Sequence, residues 1–170
     1  MNRIFDAFLS RQLRDGLSLA AASDLLELTP LGPEPVQRYL ARFAGTTLVR
    51  GDGSDVREAE GFAVGIVFAP GYLRGVHPAE VATWLAPANV FLPNVRPPFI
   101  CLGRITPGMP LVELLYQIFE IGVGAKLTVR EDDALDPLAC AWARRHLDRF
   151  PIDRRPLKRG AFDFDLEDTR

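Results

Sequence analysis

The chain is most informative at residues 92–103, which read LPNVRPPFICLG. Five prolines and two glycines fall within residues 92–110, so this segment is predicted to be irregular, with a backbone fixed by proline and local packing. Cys101 lies in its middle. Because a thiolate is both a strong nucleophile and a good leaving group, Cys101 is a candidate for thioester exchange.

Asn94 precedes Cys101 by seven positions, a separation that lets a loop fold back and bring the two residues together. A side-chain amide can stabilise the oxyanion that forms when an amine attacks a thioester. Hydrolytic cysteine enzymes usually need a histidine base, but the nearest histidine in sequence, His77, lies well upstream. Thioester transfer can proceed without such a base because the thioester is already activated.

The residues before this segment predict helices followed by strands. Asn2 can cap a first helix that ends at Gly16, and residues 18–28 are predicted to form a second one. Prolines and glycines break the pattern after Thr29. Strands are predicted at residues 46–49, 62–68 and 81–91, and the second is apolar on both faces, which indicates a central position.

Two helices are predicted after the segment, the first over residues 111–121. Asp136 and Pro137 are typical of the start of the second, as N-cap and first helical residue. Cys140 is interpreted as a packing residue. The apolar face of this second helix is predicted to contain Leu135, Leu138, Ala139, Trp142, Ala143, His146 and Phe150.

The composition excludes several functional classes. The 170 residues suit one domain, and 20 basic against 22 acidic residues give a net charge of -2, which argues against nucleic-acid coating. No apolar run reaches the roughly 18 residues of a membrane helix. Two cysteines do not make a disulfide framework, so a reducing cytoplasm is expected. The chain has no Cys-x-x-Cys pair, Walker loop or dinucleotide fingerprint.

The segment around Cys101 resembles the active-site region of ubiquitin-conjugating enzymes. That family carries His-Pro-Asn, several loop residues and then Ile-Cys-Leu, matched by Leu-Pro-Asn at 92–94 and Ile-Cys-Leu at 100–102. Its downstream Ser-Pro and Asp-Asp-Pro-Leu motifs are matched by Thr-Pro at 106–107 and Leu-Asp-Pro-Leu at 135–138. Upstream, residues 62–72 are similar to its third strand and the turn that follows.

The resemblance implies an α+β fold of the ubiquitin-conjugating type, in which an antiparallel meander packs against N-terminal and C-terminal helices. It covers residues 1–150, the expected catalytic domain, with residues 92–110 as the active-site loop. Residues 151–170 are expected to form a charged tail whose opposite-charge blocks are solvated.

The family also implies roles by position. Cys101 would hold the modifier as a thioester, Asn94 would stabilise the oxyanion, and Asp136 would be the gate carboxylate that positions the incoming lysine. Each residue has a simpler interpretation: Cys101 as a buried hydrophobe, Asn94 as a loop cap and Asp136 as a helix N-cap. Asp132 and Asp133 are near enough in sequence to substitute for Asp136.

Two departures from the family pattern are visible. Leu92 replaces the motif histidine, and the tryptophan expected shortly after the cysteine is missing. With the Cys-Leu-Gly and Pro-Gly-Met-Pro segments, these features look like the divergent bacterial branch. Such proteins work beside an activating enzyme, a ubiquitin-like protein and a deconjugating protease, and some of these sets act in antiphage defence.

The expected function is therefore the transfer of a ubiquitin-like modifier from an activating enzyme to a target lysine, in the cytoplasm. No metal or organic cofactor is expected, since the partner enzyme uses the ATP, and neither nucleic acid nor membrane is an expected partner. A catalytically inactive scaffold is one alternative. A thiol hydrolase is another, and it requires His77 or His146 against the Cys101 sulfur.

Overall fold

A computed structural model describes residues 3–53 and 55–159, and it has an α+β fold with a four-stranded antiparallel sheet and helices. The predicted cap Asn2 lies outside the described residues. Two 3-10 turns, Glu131–Asp133 and Leu147–Arg149, accompany the main elements. The helices and strands, in chain order, are α1 (Arg3–Ala21), β1 (Leu26–Leu31), β2 (Arg38–Arg50), β3 (Val56–Val67), α2 (Pro78–Val81), β4 (Ala82–Ala86), β5 (Val95–Arg96), β6 (Phe99–Ile100), α3 (Leu111–Gly122) and α4 (Pro137–Arg145).

The large sheet is a meander in the order β1-β2-β3-β4, and every neighbouring pair is antiparallel. The strand β3 lies between β2 and β4, so the predicted central position of residues 62–68 is confirmed. The strand predicted over residues 81–91 is wrong in extent, because Val81 ends the short helix α2 and β4 stops at Ala86. Pro87 follows, and it has no N–H to continue the ladder.

The first helix does not end at Gly16, as its glycine had predicted, but continues to Ala21. A Cβ at Gly16 would lie 2.8 Å from Leu111 and 2.9 Å from Leu28, so the glycine permits close packing of α1 on α3 and β1. The predicted second helix over residues 18–28 is wrong, because its first residues belong to α1, which ends at Ala21, and Leu28 lies in β1. Gln12 also joins α1 to α3, because its side-chain oxygen accepts a 2.8 Å hydrogen bond from the Leu111 N–H.

Both predicted downstream helices are confirmed, over Leu111–Gly122 and Pro137–Arg145. Cys140 is fully buried, as its packing interpretation required. The predicted apolar face of α4 is wrong at Leu138, which is 64% exposed. Ala139 and Ala143 of that face are buried as predicted, and Cys140 is buried beside them.

Residues 151–159, called here the C-terminal strap, pack along the domain. The Ile152 N–H donates to the Val123 carbonyl, Leu157 is 2% exposed, and the Arg159 N–H donates to the Ala22 carbonyl. The basic block Arg154, Arg155, Lys158 and Arg159 is exposed, as expected of a solvated block, but the neighbouring Asp153 is buried. Residues 160–170 of the predicted tail lie outside the described residues.

Among the described residues, no helix combines the length and the apolar composition that a membrane crossing requires.

Candidate active site

The segment that contains Cys101 folds into a small hairpin. The strands β5 and β6 pair antiparallel, with Val95 opposite Ile100. The next pair outward is Asn94 and Cys101, and the Cys101 N–H donates a 2.8 Å hydrogen bond to the Asn94 carbonyl. The tip of the hairpin is anchored on the large sheet, because the backbone N–H of Trp84 donates to the Pro98 carbonyl at 2.8 Å. The hairpin therefore holds the backbones of Asn94 and Cys101 side by side.

Cys101 is partly exposed, although its two neighbours are not. Ile100 is 4% exposed and Leu102 is fully buried, so they fix the backbone on either side of the cysteine. Gly103 follows with φ +78, a conformation that favours glycine because it has no Cβ, and it turns the chain away from the hairpin. Cys101 is thus partly accessible to solvent and lies between two buried neighbours.

The Asn94 side chain is held by Thr128. Asn94 is 5% exposed, its Nδ2 donates to the Thr128 hydroxyl at 2.8 Å, and its Oδ1 accepts from the Thr128 backbone N–H at 2.8 Å. The backbone N–H can only donate, which fixes which end of the carboxamide faces it. Nδ2 carries a second N–H that Thr128 does not use. The loop-capping interpretation of Asn94 therefore has a direct structural basis.

Thr128 also links Asn94 to α4. Its carbonyl lies 3.4 Å from the sulfur of Cys140, which donates to it. Burial, followed by the negative charge of Glu131, raises the pKa of the Cys140 thiol, while the charge of Arg144 opposes the rise. Cys140 is thus kept as a thiol with a structural role, and sequence reasoning had missed its contact with Thr128.

Asp136 begins α4 beside the hairpin. Its Oδ1 accepts a 3.0 Å hydrogen bond from the Ala139 N–H, so the N-cap interpretation is confirmed. The N–H groups of Leu135 and Asp136 both donate to the Pro93 carbonyl, at 2.9 and 3.2 Å. These bonds place the start of α4 against the residue that precedes Asn94. The gate role of Asp136 stays a prediction.

The other two candidate carboxylates lie in the exposed 3-10 turn Glu131–Asp133. Asp133 forms an ion pair of 3.6 Å with Arg130, whereas Asp136 is partly buried. Asp136 is the one of the three whose backbone is hydrogen-bonded to the Asn94 segment. It is therefore the best-positioned of these carboxylates.

Lys126, from a distant part of the chain, contacts the residues that follow Cys101. Its Nζ donates to the Leu102 carbonyl at 3.3 Å and lies 3.8 Å from where a Cβ on Gly103 would be. Its backbone N–H donates to the Glu120 carbonyl at the end of α3. Lys126 could not be found from the sequence, because 24 positions separate it from Leu102 and no motif marks it.

Neither histidine has its contacts at the cysteine. The His146 ring stacks on Trp142 with centroids 4.1 Å apart, and its Nδ1 lies 2.8 Å from the Trp142 carbonyl oxygen. His77 is exposed at the start of α2. Within residues 3–53 and 55–159, no hydrogen bond joins either imidazole to the Cys101 sulfur. The same residues contain no group of three histidine, cysteine or acidic side chains able to hold a metal ion.

Thr128→Val is expected to lower the free energy of unfolding by about 1 to 2 kcal/mol, because the buried Asn94 Nδ2 loses its acceptor. Thr128→Ser keeps the hydroxyl and is the matched control, with an expected loss below about 1 kcal/mol. Urea denaturation of the two variants and the wild type measures the difference. Equal stability of the valine and serine variants would contradict the prediction.

Searches against protein-family models and against curated proteins found no match to this chain.

Proposed function

We propose that this protein is a conjugating enzyme for a ubiquitin-like modifier. Cys101 accepts the modifier as a thioester from an activating enzyme and passes it to a lysine of a target protein. The observation that carries the proposal is the pairing of a partly exposed Cys101 with Asn94 through the 2.8 Å hairpin bond. That pairing unites the two residues whose chemistry thioester transfer requires.

The reaction has two balanced steps. In the first, the Cys101 thiolate attacks the thioester carbonyl carbon at the modifier's C-terminus, and the thiol of the activating enzyme leaves. In the second, an uncharged lysine amine attacks the new thioester, an amide bond forms, and the Cys101 thiolate leaves as the nitrogen loses a proton. ATP is used by the activating enzyme, so the proposed protein needs no cofactor.

Asn94 supports the second step through the N–H of Nδ2 that Thr128 does not use. Thr128 fixes the carboxamide at both ends, and a donor already held in place stabilises a developing oxyanion without reorganisation. Asp136 supplies a carboxylate beside the same segment, where it would attract the incoming ammonium group. Neither role calls for a histidine, in keeping with the exposed position of His77 and the contacts of His146 with Trp142.

The order of the elements supports a ubiquitin-conjugating type of fold. An N-terminal helix, a four-stranded meander, the cysteine hairpin and two helices follow one another, as the resemblance implied. Leu92, which stands where the motif has histidine, is fully buried, so an apolar residue fills that position in the loop. We infer that the protein acts in a bacterial conjugation pathway in the cytoplasm, with antiphage defence as the output.

The test uses the full chain with a purified activating enzyme, a ubiquitin-like modifier and ATP, taken from genes that neighbour its own. We expect an adduct with the modifier's mass that thiol reductant releases and that free lysine discharges. If a partner set already shown to form the thioester on the activating enzyme gives no adduct, the protein is an inactive scaffold. Release of free modifier without any amine acceptor indicates a hydrolase.

A further inference from the structure

We propose that Lys126 is a self-modification site, at which the acyl group carried by Cys101 moves to the Lys126 amine. This inference rests on the proposed function, because it requires an acyl group on Cys101. It adds an acceptor within the chain that the transfer reaction itself does not need.

The first argument is position. The Lys126 Nζ is tied at 3.3 Å to the carbonyl of Leu102, the residue that directly follows Cys101. Gly103 offers no side chain at the place where a Cβ would lie 3.8 Å from this nitrogen. The backbone of Lys126 is itself fixed at the end of α3 by the bond to Glu120. Lys126 is an exposed residue, and its amine contacts the backbone of the residue that follows the proposed thioester.

The second argument is the scarcity of lysine. Lys126 and Lys158 are the two lysines of the chain, whereas 18 of its 20 basic residues are arginines. A guanidinium stays protonated and does not attack acyl groups, whereas an amine does so once it loses its proton. Lys158 lies in the C-terminal strap, next to residues that contact Ala22 and Ser23. One of the two lysine amines therefore contacts the residue that follows the cysteine.

The proposed step conserves all atoms. The lone pair of the neutral Nζ attacks the thioester carbonyl carbon, an amide C–N bond forms, and the C–S bond breaks. The Cys101 thiolate leaves, and the nitrogen gives one proton to solvent. The product carries the acyl group on Lys126 as an amide that thiol reductant cannot release, and it leaves Cys101 free.

A small thioester tests this step without partner proteins. The full chain is incubated with the thiophenyl ester of N-acetylglycine, treated with reductant and mapped by peptide mass spectrometry. We expect Lys126 to acquire the acetylglycyl group at least about tenfold faster than Lys158, since a held amine reacts at a high effective concentration. Cys101→Ala measures the direct reaction of the reagent with each amine. In this variant we expect Lys126 to be acylated no faster than Lys158.

Two lysine variants complete the design. Lys126→Arg keeps a donor for the Leu102 carbonyl but cannot accept the acyl group, so the reductant-stable product should fall to the level of Cys101→Ala. Lys158→Arg should leave that product unchanged. Acylation of Cys101 with no excess at Lys126 would overturn this inference and leave the proposed function standing. If Cys101 is not acylated, both are overturned.

Discussion

Cys101→Ala is expected to remove the reductant-sensitive adduct completely, whereas Cys140→Ala is expected to retain it. The two variants are expected to differ because Cys101 is partly exposed on the hairpin, whereas Cys140 is fully buried in α4. Burial also raises the pKa of the Cys140 thiol, which disfavours the nucleophilic thiolate. The two free cysteines of the described chain thus form a matched pair.

Cys101→Ser adds a chemical check. A serine at this position is expected to trap the modifier as an oxygen ester, which thiol reductant leaves intact and hydroxide cleaves. Non-reducing electrophoresis and intact mass before and after reductant measure all three variants. Circular dichroism establishes that each one is folded.

An adduct that persists in folded Cys101→Ala would contradict the assignment of Cys101 as the acceptor. Loss of the adduct in Cys140→Ala has a different meaning, because Cys140 contacts Thr128 and Thr128 holds Asn94. In that case thioester formation would depend on the support that α4 gives to the hairpin. Measuring Thr128→Val in the same assay shows whether the adduct is lost because the support of Asn94 is weakened or because Cys140 itself accepts the modifier.

Local signals in the sequence predicted the elements near the site well. Asp136 before Pro137 predicted the start of α4, and the Asp136 carboxylate does cap that helix. The apolar residues from Leu111 predicted α3. Residues 62–68, which are apolar on both faces of a strand, predicted the inner strand β3. Each of these features depends on neighbours a few residues away, which a sequence pattern records directly.

Contacts across the chain were not predictable in the same way. Gly16 has the local character of a helix end, but its place is set by Leu111, almost a hundred residues later. Thr128 and Lys126 lie outside every motif, and only the folded chain brings them to Asn94 and Leu102. The residues that support the cysteine hairpin were therefore missed, although the sequence had marked Cys101 as a candidate nucleophile.

The packing of the C-terminal strap was likewise hidden, and it depends on an irregularity in β2. The register between β2 and β3 shifts between Phe43 and Thr46. Gly45 lies in this bulge, where a Cβ would be 2.9 Å from both Phe119 and Val123 of the adjoining helix and its end. The close approach of α3 requires the glycine, and the bulge removes nearby backbone groups from the ladder.

Asp153 and Arg155 of the strap satisfy those backbone groups. The Asp153 carboxylate accepts from the Thr46 N–H at 2.9 Å, and the Arg155 guanidinium donates to the Ala44 carbonyl at 3.1 Å. The same two side chains are paired, with 2.6 Å between the Arg155 Nη2 and the Asp153 Oδ2. The side-chain hydrogen bonds from Arg155 hold the pKa of Asp153 far below its usual range. Burial acts in the opposite direction, and the backbone N–H groups of Arg155 and Thr46 lower the pKa further.

Asp153→Ala is therefore expected to lower the free energy of unfolding by about 2 to 3 kcal/mol at pH 7. The Thr46 N–H loses its acceptor in a partly buried place, while Arg155, whose side chain is 57% exposed, can turn to water. Asp24→Ala is the matched control, because its ion pair with Arg159 is exposed, and we expect a change within about 0.5 kcal/mol. Urea denaturation measures both variants.

The pH dependence distinguishes a charged Asp153 from a merely well-packed one. Since its folded-state pKa is depressed, its contribution is complete above about pH 5 and declines as the pH falls below the unfolded value of about 4. The gap in stability between the wild type and Asp153→Ala is thus expected to narrow by about 1 kcal/mol between pH 6 and pH 3. A gap that stays constant over this range would show that the carboxylate charge does not stabilise the strap. Packing at Leu157 and the backbone bonds of Ile152 and Arg159 would then hold it in place.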